Sequence, residues 1–387
     1  MNNFKYQTLC YKHKGQGITL ESDLSKLKNK IQCQKCLAEQ NQNIDSLDYQ
    51  FRQQQPNQIK TQTFTISYDK KPFSYVLQAK QTKKQDENCY AIEFNNDMTL
   101  LIVGCNNRIK IYQFNQENLK EVQALQGHKN NVTTLSFMSK SNDIISGSDD
   151  QQIILWQYVK EFLWNITQKI IGHSGQINCV IRNNNDDLII SCSWDKTIRF
   201  WIKQSEWECQ QIISEHTGSV FQLSLNLTQN KLISCGIDQF ILIMELQSQD
   251  KKWIVMKKIW TSFYGNRLCF LNDKVFAFQP DNKEITQIYE INNTKKQYDK
   301  KNEIVLQGNY DGSMLFPQKF IKEKSLLVNK YYTFVNLMRL DEDGKLLSKF
   351  IIEFNTYGIF GTISPDGEYL ITWNYKTKEI EVRKYND

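Results

Sequence analysis

No apolar run in the chain approaches the roughly 18 residues that a membrane helix needs. Nothing at the N-terminus resembles a signal peptide, because MNNFKYQTLCYKHKGQG is polar and basic. Blocks of five like charges are missing as well, and 48 Lys+Arg against 42 Asp+Glu leave a net charge of only +6. That excess is too small for a histone-like or ribosomal binder. The short basic clusters KQTKK (80–84) and KKQYDKK (295–301) have acidic or polar neighbours and no phosphate-cradling Gly-rich loop, so they read as solvated loop faces. Histidine is scarce, with 4 in 387 residues, which limits general-base chemistry. These absences predict a soluble protein of the cytoplasm or nucleus, with no membrane, no specific nucleic acid and no small-molecule substrate among its partners.

What the chain does have is length and apolar content. At 40% hydrophobic residues it can bury a large core without disulfides. Its 10 cysteines, with no secretory signal, read as reduced thiols or metal ligands. About a fifth of the positions are Asn or Gln, thickest in QNQNIDSLDYQFRQQQPNQ. That stretch cannot bury enough apolar surface to offset its ordering entropy. It reads as a linker over residues 39–60, between a short module (1–38) and a large domain (61–387).

The large domain repeats. Three segments align on their histidines: GHKNNVTTLSFMSKSNDIISGSDDQQIILW (127–156), GHSGQINCVIRNNNDDLIISCSWDKTIRFW (172–201) and EHTGSVFQLSLNLTQNKLISCGIDQFILIM (215–244). From each His, a Ser lies 18 residues on (Ser146, Ser191, Ser234), an Asp 22 on (Asp150, Asp195, Asp238), and the last residue 28 on (Trp156, Trp201, Met244). Short apolar runs such as VTTLSF and QQIILW, broken by polar turns, read as strands. One small sheet would leave its faces wet, so the copies must stack to bury them.

This pattern closely resembles the WD-repeat β-propeller family. The resemblance implies an all-β propeller of four-stranded antiparallel blades. It also implies a hydrogen-bonded tetrad inside each well-formed blade: His128, Ser146, Asp150 and Trp156; then His173, Ser191, Asp195 and Trp201. Around His216, Ser234 and Asp238 only a triad can form, because Met244 carries no donor. Third strands ending at Tyr112, Trp156, Trp201, Met244, Tyr289, Met338 and Arg383 are spaced 43 to 49 residues apart and count seven blades. SPDG at 364–367 supports the seventh. Counting into blade five places Thr261, Gln279, Lys283 and Tyr289 at the tetrad positions, so no network is expected there. The chain ends after a third strand, so TFTISYD or PFSYVLQ is expected to supply the missing outer strand and close the ring.

Cys10 and His13, then Cys33 and Cys36, form C-x2-H and C-x2-C pairs. Four such ligands suit one tetrahedral structural zinc, Zn(2+), with no open position for catalysis. Leu20, Leu24, Leu27 and Ile31 fall on one helical face between the pairs, with Ser22 as a cap. The module resembles short cross-brace fingers of the B-box or RING-like sort. With one histidine in the module and three in the repeats, none is left over as a general base.

Those readings predict a non-enzymatic scaffold that binds other proteins, in a multi-subunit complex, on one propeller face. In the family, contacts concentrate in two places: three residues past each His (Asn131, Gln176, Ser219) and one before each Asp (Asp149, Trp194, Ile237). Trp194 is the foremost anchor, since a Trp in such a turn is a typical interface residue. Two alternatives remain open. EWECQQIISEHTGSV (206–220) is similar in spacing to a stretch of the WD-repeat component of cytosolic iron–sulfur protein assembly. A finger followed by a propeller also suits substrate recognition in a ubiquitin-ligase pathway.

Overall fold

In the computed structural model, the described residues are 7–9, 17–19, 62–67, 72–115, 118–292, 297–308 and 315–387. The chain divides into two compact units, Met1–Leu47 and Asp48–Asp387. In the first, Gln7–Leu9 pairs antiparallel with Gly17–Thr19. Cys10, His13, Cys33 and Cys36, the helical face from Leu20 to Ile31, and the linker at 39–60 lie outside the described residues.

The second unit is an all-β seven-bladed propeller. Blade one is Cys89–Phe94, Leu100–Cys105, Arg108–Asn115 and Asn118–Gln126, each strand antiparallel to the one before it. Blades two, three, four and five repeat the meander from Val132–Phe137, Ile177–Arg182, Val220–Leu225 and Gly265–Phe270. Blade six opens on the three-residue strand Lys319–Ile321, and blade seven runs from Ile359–Ile363 to Glu379–Asn386.

Apolar side chains explain the stacking. In the second strand of blade one, all six residues Leu100–Cys105 are buried, so both faces of the sheet are covered. One apolar cluster fills each seam between neighbouring blades. Ile145, Ile153, Ile177 and Ile189 pack between blades two and three, and Ile233, Leu268, Phe276 and Phe278 between four and five. A single blade would expose such a core on both sides, so the array is stable only as a closed stack.

Both segments expected to close the ring are used, in different blades. Ser74–Leu77, from PFSYVLQ, pairs with Glu379–Asn386 and completes blade seven. Lys83–Lys84 pairs with the same strand at Glu379 and Ile380. TFTISYD instead supplies Gln62–Ser67, a fifth strand on the outer edge of blade six against Leu346–Glu353. Closure thus pairs N-terminal strands with the last strand, so Glu379–Asn386 is not left as the exposed outer edge of blade seven. Trp373, fully buried there, donates its indole N–H to the Gln85 carbonyl at 3.0 Å.

Candidate functional site

Three blades carry the same polar network. In blade two, His128 Nδ1 lies 3.0 Å from Asp150 Oδ2 and Nε2 lies 2.7 Å from Ser146 Oγ, while Trp156 Nε1–H donates to Ser146 Oγ at 2.8 Å. Blade three matches it, with His173 to Asp195 at 2.8 Å, His173 to Ser191 at 2.7 Å and Trp201 to Ser191 at 2.8 Å. A neutral imidazole protonated on Nδ1 satisfies every member. The indole donates to the Ser oxygen, the Ser O–H to Nε2, and Nδ1–H to the carboxylate. Blade four keeps His216 at 2.8 Å from both Asp238 and Ser234, and Met244 packs fully buried where the indole would be.

The residue before each histidine follows from the same geometry. A Cβ on Gly127 or Gly172 would come within 2.7 Å of the Trp156 or Trp201 ring. Glycine is therefore required where the tryptophan is present. Blade four, which lacks the tryptophan, carries Glu215 instead.

Electrostatics follow from burial and donor count. For Asp195 burial pushes the carboxyl pKa up, but hydrogen bonds from His173, Thr197 and the Ser174 amide outweigh it, so it stays well below the usual carboxylate range. Asp150 and Asp238 are held low in the same way by His128 and His216 and by backbone N–H groups. Burial, helped by the Arg199 charge, pushes the His173 pKa below its ordinary value despite Asp195. Each network therefore tethers the first-strand entry loop to the hairpin between the second and third strands, with its histidine committed.

That tether sets out a face. The Asp149 amide donates to the Asn131 carbonyl, Trp194 to Gln176 and Ile237 to Ser219, each at 2.9 Å. The two predicted groups of contact residues are thus brought together in pairs, blade by blade. Asn131 Nδ2 adds a 3.0 Å hydrogen bond to Asp149 Oδ2. Trp194 and Ile237 are each 49% exposed. They adjoin across the boundary of blades three and four, since Ser219 Oγ donates to the Trp194 carbonyl at 3.4 Å and Ser219 O accepts from Ile237. The indole N–H of Trp194 donates to Asn178 Oδ1 at 3.1 Å, which orients the ring without covering it.

Sequence counting missed three members of this series. By the same amide-to-carbonyl bond, Asn106 pairs with Asn88, Asp281 with Tyr264 and Tyr375 with Gly358. Tyr375 is exposed, and with Tyr332 and Tyr357 it lines a cavity of about 490 Å³ between blades six and seven. A usable signal was present. Tyr375 lies eleven positions past Ser364, which opens the SPDG turn, as Trp194 lies eleven past Asn183 and Ile237 eleven past Asn226. In blade five the count was off by one. Strand pairing sets Tyr289 opposite Phe276, as Trp156 stands opposite Ile144, so Phe278 and not Gln279 occupies the Ser146 position. The hairpin there is one residue longer, and Lys283 lies over the Phe263 ring at 4.4 Å.

The axis of the ring holds a second cavity of about 400 Å³, lined by first strands, where Lys319 pairs with Glu93 at 2.5 Å. Among the described residues no group of three or more His, Cys, Asp or Glu side chains is placed to hold a metal ion.

The model of the WD domain, G-beta repeat, matches residues 119–157 and 164–201. The chain carries WD40 repeats. It is 39% identical over 80 residues to the small ribosomal subunit protein RACK1 of Schizosaccharomyces pombe, covering 20% of this chain and 26% of that one. It is 29% identical over 144 residues to a probable cytosolic iron–sulfur protein assembly protein 1 of Scheffersomyces stipitis, covering 32% and 40%. It is 30% identical over 110 residues to an intraflagellar transport protein 122 homolog of Xenopus tropicalis, covering 28% and 9%. The matched segments thus span well under two thirds of these relatives.

Proposed function

We propose that this protein is a non-enzymatic scaffold that binds partner proteins, as a member of a multi-subunit complex of the cytoplasm, on the face bearing Trp194 and Ile237. The observation that carries this reading is the pair itself. Two large apolar side chains stand half exposed on adjacent blades, on loops anchored from below by the His173 and His216 networks. A rigid scaffold presenting an orientable Trp is a low-entropy anchor for a partner. The three described histidines are each hydrogen-bonded to an Asp and a Ser, an arrangement repeated in three blades, which favours structure over a hydrolytic triad. Replacing Trp194 with Ala tests it. Loss of a hot spot weakens binding of a co-purifying protein by about 2 kcal/mol or more, roughly thirtyfold. Thermal melting stays near wild type, because the ring lies outside the seams. An unchanged partner set with a lowered melting temperature would retire Trp194 as an anchor.

A second reading, a component of cytosolic iron–sulfur protein assembly, is favoured by the relative from Scheffersomyces stipitis. The segment 206–220 that suggested it lies on the outer strand of blade three and the loop after it. There, Gln168 clasps Trp207 by two backbone hydrogen bonds, and Gln211 clasps Trp253 in the same manner, so part of that spacing serves blade-to-blade packing. Recovery of iron–sulfur assembly proteins with the tagged chain would support this reading. Their absence from a complex that does depend on Trp194 would leave the scaffold and remove this pathway.

A further inference from the structure

At one rung blade one departs from the pattern of the other blades. The position where the first strand enters its sheet, facing the end of the second strand, is Val132/Ser148 in blade two, Ile177/Ser193 in blade three and Val220/Gly236 in blade four. It is Gly265/Pro280 in blade five and Ile359/Asn374 in blade seven. In blade one both partners are cysteine, Cys89 and Cys105. Their sulfurs are 3.3 Å apart, and both residues are fully buried.

The backbone suits a bond between them. The Asn106 amide donates to the Asn88 carbonyl at 2.8 Å. Asn88 and Asn106 are therefore the hydrogen-bonded pair, and Cys89 and Cys105 on the next rung are the non-hydrogen-bonded pair. Facing Cα atoms in such a pair lie about 4.5 Å apart, within the range of about 4.4–6.8 Å that a disulfide spans. Both sulfurs belong to the apolar cluster shared with Ile371, Trp373 and Ile380 of blade seven. That seam is the one closed by the N-terminal strands.

We propose that Cys89 and Cys105 are an oxidisable dithiol, a modification site whose disulfide staples the first two strands of blade one beside the closing seam. The oxidant is a low-molecular-weight disulfide. One cysteine attacks a sulfur of oxidised glutathione, forming a mixed disulfide and releasing one glutathione thiol. The second cysteine attacks the protein sulfur of that mixed disulfide and releases the other. Two electrons pass to glutathione, and the two S–H protons end on the two glutathione thiols. Burial pushes the Cys89 thiol pKa up, so exchange starts when the exposed hairpin tip at Asn107 and Arg108 opens the strand ends.

The test needs no variant to fold. Trypsin releases QDENCYAIEFNNDMTLLIVGCNNR (85–108) as one peptide that contains both cysteines. The folded full chain is incubated with oxidised glutathione, denatured, alkylated with iodoacetamide and digested. The expected result is this peptide two hydrogens lighter and unalkylated, while prior treatment with dithiothreitol returns it doubly alkylated. A peptide that stays doubly alkylated after oxidation, or that carries glutathione on one cysteine with the other alkylated, overturns the proposal. Cys105→Ser serves as the control, and its peptide should never appear in the lighter form.

Discussion

Replacing Asp195 with Ala perturbs the blade-three network where its bonds converge. The carboxylate accepts from His173 Nδ1 at 2.8 Å, the Ser174 amide at 3.0 Å, the Thr197 amide at 2.9 Å and the Thr197 hydroxyl at 2.7 Å. Three of these donors sit in the turn, where water can reach once the side chain is gone. The imidazole N–H keeps only a longer 3.3 Å contact with the Thr197 hydroxyl and gains no water, because the His173 side chain is 1% exposed. One stranded buried donor costs about 1–3 kcal/mol, which sets the expected loss. For a domain of this size, that is a fall of a few degrees in melting temperature. The matched control is Lys283→Ala. Lys283 stands at the counted Asp position of blade five, but its ammonium lies over the Phe263 ring, a contact worth about 0.5–1 kcal/mol. Differential scanning calorimetry on the two variants decides. Equal melting temperatures would refute the claim that the tetrad anchors blade three.

Three further outcomes follow from the same structure. His173, with its pKa held below the ordinary value, contributes stability that is complete above about pH 6.5 and is lost as pH falls through its folded value. The depressed carboxyls of Asp150, Asp195 and Asp238 add stability that is complete above about pH 4 and is lost on further acidification; a melting temperature flat from pH 7.5 to 3 contradicts both. Lys349 is almost wholly buried in blade six, and burial lowers its pKa to about 7 while its ammonium donates to the Val305 carbonyl at 2.9 Å. Lys349→Met should therefore raise the melting temperature, most below pH 7 and least near pH 10, where the unfolded lysine also loses its charge; a lower melting temperature at pH 6 would show that the hydrogen bond outweighs the burial cost. For the N-terminal pairs, about one zinc per chain by plasma mass spectrometry is expected, abolished by Cys33→Ser with Cys36→Ser; zinc retained by the double variant removes the assignment.

The sequence made the propeller legible because its histidines act as rulers. Where His128, His173 and His216 were present, counting reached the right hairpin in each blade. The seven-blade count also stood, since strand rhythm persists where the network does not. Closure was harder to read. TFTISYD and PFSYVLQ are both short apolar runs, and nothing local says which lies beside Glu379–Asn386. Tertiary packing assigns one to blade seven and the other to the edge of blade six. Blade five misled because its longer hairpin shifts any count from Tyr289 by one residue, placing Phe278 in the core where Gln279 was expected. Tyr375 went unseen for want of a histidine to count from, although the turn at 364–367 would have served.

The claim that one face of this propeller does the binding is tested most directly by substituting opposite ends of the same blade. Ile237 stands on the hairpin between the second and third strands of blade four, and Leu227 on the turn between its first and second strands, at the other end. The two are equally exposed, at 49%. Quantitative affinity capture would compare wild type, Trp194→Ala with Ile237→Ala, and Leu227→Ala, after melting curves show all three folded. The account predicts that the double variant loses its protein partners while Leu227→Ala keeps them. Retention by the double variant, together with loss from Leu227→Ala, would contradict it.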